Sequence, residues 1–262
     1  MSIYRHVDFS LMPWRELPSG PVDSPPYADY LLGLGPAAYY RLGEGSGAAA
    51  DDATGRYPGS FVGAAQRGIP GALRGDADAA TGFPGSPAYL DLPHAALLRG
   101  VAAATLCFWM RYRPTAVTAD GGVLYRDGQL QLWIDADGFL TQRKRTLTVN
   151  IFSNQAGVPN ARIEGGTDLV RPGTWDLFAV TFVGNDSLKL YRNGVLDRQE
   201  AVGFSSLVDV GGGLNFGRNP GGIGHAPADF DELAFFHHAL PPAELLRLYQ
   251  LGRGRLQSPA AG

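Results

Sequence analysis

Cysteine is almost missing from this sequence, because Cys107 is the single one among 262 residues. A lone cysteine excludes an intrachain disulfide, so no covalent cross-link contributes to the stability of the fold. Cys107 lies within the apolar run TLCFWM, where a thiol behaves as a small buried hydrophobic group. We therefore expect a structural residue at this position and not a nucleophile.

The sequence also lacks an excess of positive charge. It has 22 lysines and arginines against 25 acidic residues, which gives a formal net charge of −3. The longest basic run is Arg143-Lys144-Arg145, which is typical of a solvated strand end. Proteins that bind nucleic acid carry a basic surface. We expect no nucleic-acid partner.

Long apolar runs are missing as well. No stretch approaches the ~20 apolar residues that a membrane-spanning helix needs. The first 21 residues, MSIYRHVDFSLMPWRELPSGP, lack the apolar core of a secretion signal. We expect a protein made in a cytoplasm without export and without membrane insertion.

Motifs of catalysis are missing too. There is no G-x-S-x-G, no phosphate-binding loop, no G-x-G-x-x-G and no H-E-x-x-H. β-Sandwich glycosidases carry two glutamates and an aspartate on one strand as E-x-D-x-E, yet no two of the six glutamates here are close in sequence. A carboxylate pair assembled from different strands remains an open alternative. We expect a protein that is not an enzyme.

Turn residues and short apolar runs are abundant, with 36 glycines and 19 prolines. The clearest element is Trp175–Val183, whose β-branched and aromatic residues favour a central strand. Gly184–Ser187 turns the chain into a second strand, Leu188–Arg192. Asn193-Gly194 then predicts a type I′ hairpin turn, because that turn needs positive φ at both central residues.

Other segments predict further strands and two short helices. A helical turn is predicted at Tyr27–Leu34, and Pro241 and Pro242 are typical of the start of a helix that Gly252 would end. In Thr105–Arg113, alternate residues are expected on opposite faces. The remaining predicted strands lie within Ala37–Leu42, Thr54–Gly63, Ala88–Leu92, Gly122–Arg126, Gln129–Ile134, Gly138–Gln142, Thr146–Ser153, Gly213–Arg218 and Phe230–His237.

Five segments carry a resemblance to a known family. YYRLGEGSG, DDATGRYPGSFVG, TLCFWM, WDLFAVTFVGNDSLKLYRNGV and FDELAFFHHALPPAELLRLYQLG follow one another in the chain. Together they resemble the laminin G-like, concanavalin A-like jelly-roll modules over residues 28–252. The resemblance implies an all-β fold, a two-sheet antiparallel jelly-roll sandwich with a short C-terminal helix. We expect an extended N-terminal arm before it (1–27) and a flexible tail after it (253–262).

The arm contains large apolar side chains and many prolines. Tyr4, Phe9, Leu11, Met12 and Trp14 alternate with polar residues, and side chains of this size need a partner surface. The arm either folds back on its own domain or binds a neighbouring subunit. We take Tyr4, Phe9, Met12 and Trp14 as candidate partner-binding residues.

The resemblance also implies one calcium ion on the outer sheet. Its ligands would be Asp231 of the last strand and oxygens of the Glu44–Asp52 loop, with Glu44 and Asp51 as the acidic members. Calcium binds six to eight hard oxygens, which such loops supply. Alternatively, Asp231-Glu232 caps turns and pairs with an arginine such as Arg41.

Four aromatic residues are candidates for stacking on sugars: Tyr112, Tyr125, Trp133 and Tyr191. Each would serve equally as a core residue between two sheets. Arg74-Gly75-Asp76 matches an adhesion tripeptide but lies where the family has a hairpin with acidic residues. His237-His238 would point to opposite faces of a strand, which does not suit one metal ion.

Three functions fit these observations. The first is a structural or adhesion protein of a phage virion, in the tail or on the capsid surface, whose partners are other virion proteins, sister subunits and host surface glycans. The second is a free-standing carbohydrate-binding lectin module, and the third is a glycoside hydrolase. The missing export signal, the missing disulfides and the aromatic arm together favour the first. A virion localisation follows from it.

Overall fold

The computed structural model describes residues 26–85, 87–113, 120–138, 140–153, 155–219 and 224–254. These residues form an antiparallel β-sandwich with two short helices, as expected.

The helices are α1 (Tyr27–Gly33) and α2 (Pro242–Gly252), with a 3₁₀ turn at Ala95–Leu98. The strands are β1 (Ala38–Tyr40), β2 (Ala49–Ala50), β3 (Gly59–Val62), β4 (Gln66–Pro70), β5 (Ala79–Phe83), β6 (Tyr89–Leu92), β7 (Ala103–Tyr112), β8 (Gly121–Arg126), β9 (Leu130–Asp135), β10 (Thr146–Ile151), β11 (Ala161–Glu164), β12 (Trp175–Val183), β13 (Ser187–Arg192), β14 (Val195–Ala201), β15 (Leu214–Phe216), β16 (Arg218–Asn219), β17 (Gly224–His225) and β18 (Ala228–Phe236).

The first sheet has the order β14-β13-β12-β7-β18-β5-β4, with β1 also paired to β18. We call it the helix-side sheet, because both helices pack on its outer face. Its centre is the predicted β12–β13 hairpin, and β12 lies between β13 and β7. In the next turn, between β13 and β14, Asn193 and Gly194 have φ of 56° and 77°, as a type I′ turn requires. The central-strand prediction is confirmed.

The second sheet has the order β11-β10-β9-β8-β15-β6-β3-β2. We call it the open sheet, since neither described helix packs on its outer face. The two sheets enclose the main apolar core. Alternate residues of β7, including Leu106, Phe108 and Met110, face this core as predicted. Phe108, Phe216 and Phe230 form its aromatic centre, with ring centroids 4.7–6.2 Å apart.

A second, smaller apolar layer lies between the helix-side sheet and the helices. Cys107 and Trp109, on the opposite face of β7, pack there against Leu245 and Leu248 of α2. The Trp109 ring stacks on Tyr249 with centroids 5.8 Å apart. The molecule is therefore three layers deep: helices, helix-side sheet and open sheet. Neither helix has the length and apolarity that crossing a membrane requires.

The structure corrects one local prediction and confirms another. Gly138–Gln142 was predicted as a strand, but its described residues form turns. The buried carboxylate of Asp135 holds them, because it accepts the N–H groups of Gly138 and Thr141 at 2.8 and 2.6 Å. Gly252 ends α2 as predicted, and Gly254 beyond it takes the left-handed conformation with φ of 60°.

Candidate functional site

Polar side chains form a continuous line across the outer face of the open sheet. Their cross-strand pairing places one residue from each of seven adjacent strands side by side, and each alternates with core residues of its own strand. We call this line the polar row. Its members are Ser60, Asp91, Asn215, Tyr125, Gln131, Asn150 and Arg162. All seven are half-buried or exposed.

The polar row is long enough for an extended ligand. Neighbouring strands lie about 4.8 Å apart, so the six steps from Ser60 to Arg162 span roughly 29 Å. The amide of Asn215 donates to Asp91 at 3.0 Å, and the Tyr125 hydroxyl donates to Asp127 at 2.9 Å. The row therefore presents donors and acceptors at regular spacing, fixed by the sheet.

A second set of residues runs beside the row on the same face. Thr148 pairs with Trp133 on one side and with Glu164 on the other. The Arg162 guanidinium lies 5.2 Å from the centre of the Trp133 ring and forms an ion pair with Glu164 at 2.8 Å. We call Trp133, Thr148, Arg162 and Glu164 the Trp133 corner.

The four aromatic candidates divide between the core and this face. Tyr112 belongs to the main core between the two sheets. Tyr191 belongs to the smaller apolar layer between the helix-side sheet and the helices. Tyr125 is half-buried in the polar row, and Trp133 lies at the corner. The sequence could not separate them, because each follows the same alternation within its strand.

The predicted calcium ligand Asp231 lies on the other side of the molecule, on β18 of the helix-side sheet. The pairing of β18 with β7 shifts between Asp231 and Ala234, so one extra residue is inserted as a β-bulge. Glu232 has φ of 53° there. Adjacent strand residues normally face opposite sides, but the bulge turns Asp231 and Glu232 to the same side.

These carboxylates join two others around one arginine. The Arg41 guanidinium contacts Asp76 at 2.8 Å, Asp78 at 3.0 Å and Glu232 at 3.0 Å. Glu232 also accepts the Tyr39 hydroxyl. We call Arg41, Asp76, Asp78, Asp231 and Glu232 the carboxylate cluster. The alternative in which Asp231-Glu232 pairs with Arg41 is confirmed for Glu232.

The carboxylate cluster contains four carboxyl groups and a single arginine, so its acidic groups outnumber its basic one. Burial raises the pKa of Asp231, and the neighbouring Glu232 raises it further. Burial also raises the pKa of Glu232, although Arg41 opposes this effect. One oxygen of Asp231 accepts the Ala72 N–H at 2.7 Å; the other is buried with no hydrogen-bond partner among the described residues.

The cluster fits a hard divalent cation. Carboxylate oxygens of Asp78, Asp231 and Glu232 lie within 4.8 Å of one another, and calcium prefers such ligands. Glu44 and Asp51 belong elsewhere: they flank β2, and the Glu44 carboxylate accepts the Asp51 N–H there at 2.7 Å. The structure thus groups Asp231 with Asp78 and Glu232, and not with Glu44 and Asp51.

Sequence reasoning missed Asp78 and Glu232 as members of this group. A signal exists in β18, where the inward-facing residues are Phe230, Leu233 and Phe235. Their spacing is three and then two, so the alternation changes phase at Glu232. A phase change of this kind marks a bulge.

Two other motifs, the adhesion tripeptide and the histidine pair, have structural roles. Asp76 of the adhesion tripeptide is paired with Arg41 and also accepts the Asp78 N–H at 2.9 Å. His237 contacts the Leu97 carbonyl at 2.7 Å, and His238 packs edge-on against Phe236. Among the described residues, neither histidine belongs to a group with metal-ligand spacing. The predicted partner-binding residues Tyr4, Phe9, Met12 and Trp14 lie outside the described residues.

Comparison with known proteins agrees with the fold. A family model of the concanavalin A-like lectin/glucanases superfamily matches residues 84–246, which is more than half of the chain. A search of curated proteins returned no match.

Solved structures with this fold include binding domains of toxins and of an enzyme. The binding domain of Paraclostridial Mosquitocidal Protein 1 has a TM-score of 0.65 and 11% identity, covering 82% of this chain and 52% of that one. Botulinum neurotoxin type C, whose cell entry depends on two ganglioside molecules, has a TM-score of 0.60 and 13% identity, with coverage of 82% and 53%. This chain spans about half the length of these toxin chains.

Domain 4 of AbnA, a GH43 extracellular arabinanase from Geobacillus stearothermophilus, was solved in complex with arabinotriose. Its TM-score is 0.61 at 18% identity, and the match covers 82% of this chain and 98% of that domain. At such identities the likeness concerns the fold.

Proposed function

The chain belongs to the concanavalin A-like lectin/glucanases superfamily, and from that premise we propose that it is a non-enzymatic carbohydrate-binding module. The observation that carries the proposal is the polar row. Sugars offer hydroxyl groups at regular intervals and apolar ring faces between them. The row offers amide, carboxylate and hydroxyl groups about 4.8 Å apart, and Tyr125 stands among them as an aromatic surface.

The distance between the acidic residues of the polar row and the Trp133 corner argues against glycoside hydrolysis by this pair. Retaining enzymes need two carboxyl groups about 5–5.5 Å apart, and inverting enzymes need about 6.5–9.5 Å. Asp91 of the polar row and Glu164 of the Trp133 corner lie on β6 and β11. Five strand-to-strand steps separate these strands, which is roughly 24 Å. Asp135, at the end of β9, does group with Asp120 and Asp137, but its buried carboxylate accepts the N–H groups of Gly138 and Thr141 and so holds a turn. We therefore propose binding without hydrolysis for this face.

A glycan array on the full chain, followed by calorimetry with the best ligand, tests the proposal. We expect Gln131→Ala, in the polar row, to weaken binding at least fivefold. Gln199→Ala is the matched control, because Gln199 is an exposed glutamine on the edge strand β14, and it should bind like the parent. A chain that binds no glycan, with or without calcium, would refute the carbohydrate-binding function.

We also propose that the carboxylate cluster holds one structural calcium ion through Asp78, Asp231 and Glu232. The ion would neutralise buried carboxylates that Arg41 alone does not balance. A ligand that binds the native state raises the melting temperature, so calcium should raise it for the parent chain. Asp231→Asn should abolish that shift, whereas Asp51→Asn should keep it. An equal calcium effect on both variants would contradict this ligand set.

We further propose that the module belongs to a phage virion, in the tail or on the capsid surface, and that residues 1–25 attach it to virion proteins or sister subunits. The order of the three layers supports this arrangement, because it places the described chain ends and the polar row on opposite sides. Pro26 and Leu251 line one cavity of about 420 Å³ on the helix side, and the polar row faces the opposite side. An anchored module would then present the row outward, toward host surface glycans.

Deleting residues 1–25 tests the anchor. The truncated chain should stay folded and keep its glycan affinity, yet no longer enter its assembly. Normal incorporation of the truncated chain into a particle would disprove the anchoring role. Purification of the native protein inside a large particle would support the virion localisation, and its purification alone would oppose it.

A further inference from the structure

Trp133 and Thr148 occupy directly opposite positions on β9 and β10, and both are buried. Trp133 is 5% exposed and Thr148 is 0% exposed. The Trp133 Nε1 and the Thr148 Oγ1 have no hydrogen-bond partner among the described residues. A buried polar atom without a partner costs roughly 1–3 kcal/mol. A ligand that supplies the missing partners would recover this free energy.

The Trp133 corner offers mainly hydrogen-bond donors, which restricts the chemical groups that a ligand can place there. The indole N–H can only donate, and the Arg162 guanidinium can only donate and is always charged. Arg162 is exposed, so it can turn toward a ligand on this face. A planar guanidinium matches a carboxylate with two parallel hydrogen bonds. The corner therefore suits an acceptor group that carries negative charge.

Glu164 already shows how a carboxylate is held at this place. It lies opposite Thr148 on β11, and its Oε1 is 2.8 Å from the Arg162 Nη2. Both side chains are partly exposed, and such surface ion pairs contribute only ~0–1 kcal/mol. A ligand carboxylate can replace Glu164 on Arg162 at little cost.

From these contacts we infer that the Trp133 corner is the specificity-determining subsite of the proposed glycan-binding face, and that it selects saccharides carrying a carboxylate, such as sialic or uronic acids. The inference rests on the proposed carbohydrate-binding function. The Arg162 guanidinium lies over the Trp133 ring. When Arg162 moves onto the ligand carboxylate in place of Glu164, it uncovers the buried Trp133 N–H and Thr148 hydroxyl, which then donate to the sugar. The remainder of the polar row contacts the neutral units that follow.

The first experiment uses the full chain on an array of sialylated, uronic-acid-containing and neutral glycans. The best acidic glycan is then compared by calorimetry with its carboxyl-reduced form, in which the carboxylate has become a primary alcohol. We expect at least tenfold weaker binding of the reduced form. Equal binding of both forms, or binding of neutral glycans alone, would overturn the subsite but leave the carbohydrate-binding function intact. Binding of none would sink both.

Variants of the corner then locate the effect. Arg162→Gln should weaken binding of the acidic glycan at least tenfold and leave the reduced form unchanged. Glu164→Gln should strengthen binding of the acidic glycan two- to fivefold, because Arg162 loses its internal partner. Arg198→Gln is the matched control, since Arg198 is an exposed arginine on β14. An Arg162→Gln variant that binds like the control would overturn the inference.

Thr148→Val separates a binding role from a structural one. Valine has nearly the same shape as threonine but lacks the hydroxyl that has no partner. We expect the melting temperature to stay equal or to rise, because a buried orphan group disappears. Glycan affinity should fall at least threefold. A fall in stability with unchanged affinity would contradict the role of Thr148 in the subsite.

Discussion

Gly252 shows how one residue fixes the distance between two layers. It is the last residue of α2, and a Cβ atom at this position would lie closer than 3.0 Å to the ring of Trp109. The absence of a side chain therefore allows the helix to approach the helix-side sheet. The short separation also brings Tyr249 onto the Trp109 ring.

We expect Gly252→Ala to destabilise the protein by about 1–3 kcal/mol, the usual cost of overpacking a core. Gly33→Ala is the control. Gly33 is likewise the last residue of a helix, but a Cβ there meets no atom within 4 Å. That variant should keep its stability or gain a few tenths of a kcal/mol from helix propensity. Urea unfolding measures both, and equal losses would refute the packing argument.

Cys107 is a second position where burial decides chemistry. Burial raises the pKa of its thiol to about 12, and the nearby Glu232 adds to this effect. The reactive thiolate is therefore almost absent at pH 8. We expect no reaction with Ellman's reagent in the native protein at pH 8, and one thiol equivalent after unfolding in urea. Rapid labelling of the native chain would contradict this.

At the scale of elements, the β13–β14 hairpin illustrates how a turn can serve tertiary packing. The φ of Gly194 is 77°, and a Cβ there would lie closer than 3.0 Å to the backbone of Leu246 in α2. The turn thus supports the helix as well as reversing the chain. Gly128, in the β8–β9 hairpin, also has positive φ (64°), but its nearest contact would be an ordinary 3.6 Å.

The two glycines separate backbone strain from close approach. Gly128→Ala should cost about 1–2 kcal/mol, because alanine is strained in the left-handed region. Gly194→Ala should cost about 1–3 kcal/mol more, since α2 must also move. Equilibrium unfolding of the two variants gives the difference, and equal costs would show that the Leu246 contact is unimportant.

At the scale of the whole molecule, both ends of the described chain leave the sandwich at one place. Pro26 and Leu251 line the same cavity, and the Arg74 N–H donates to the Gly252 carbonyl at 2.8 Å. The three-layer order puts this place on the side away from the polar row. The described ends of the chain and the polar row therefore lie on opposite sides of the molecule.

A circular permutant tests this proximity. Residue 254 would be joined to residue 26 by a linker of about six residues, which reaches roughly 20 Å. New ends would be opened in the exposed turn between Ala156 and Gly157. We expect circular dichroism like that of linear 26–254 and a melting temperature within a few degrees of it. An unfolded permutant would show that the ends are farther apart or that this turn is needed.

The strand pattern was readable from local chemistry. Trp175–Val183 is apolar on both faces and forms a central strand. Asn193-Gly194 forms the type I′ turn that these two residues favour, and Pro242 begins the helix that was predicted there. These features depend on φ preferences and on alternation within one strand, which neighbouring residues determine. The strand prediction for Gly138–Gln142 failed although its cause is also local. The nearby Asp135 carboxylate accepts the Gly138 and Thr141 N–H groups and holds turns, and apolar alternation does not reveal such side-chain contacts.

Composition and local pattern are enough to identify a cysteine-poor, non-basic chain of short strands and the family to which it belongs. Which polar residues share a face becomes visible only once the strands are paired. The polar row depends on the register of six strand pairs, and register is a long-range property that no single strand encodes. The carboxylate cluster depends on a bulge that turns Asp231 and Glu232 to one side, where Asp78 and Arg41 arrive from other parts of the chain. Alternation within a strand is local, whereas the pairing of strands is decided by the packing of the whole core.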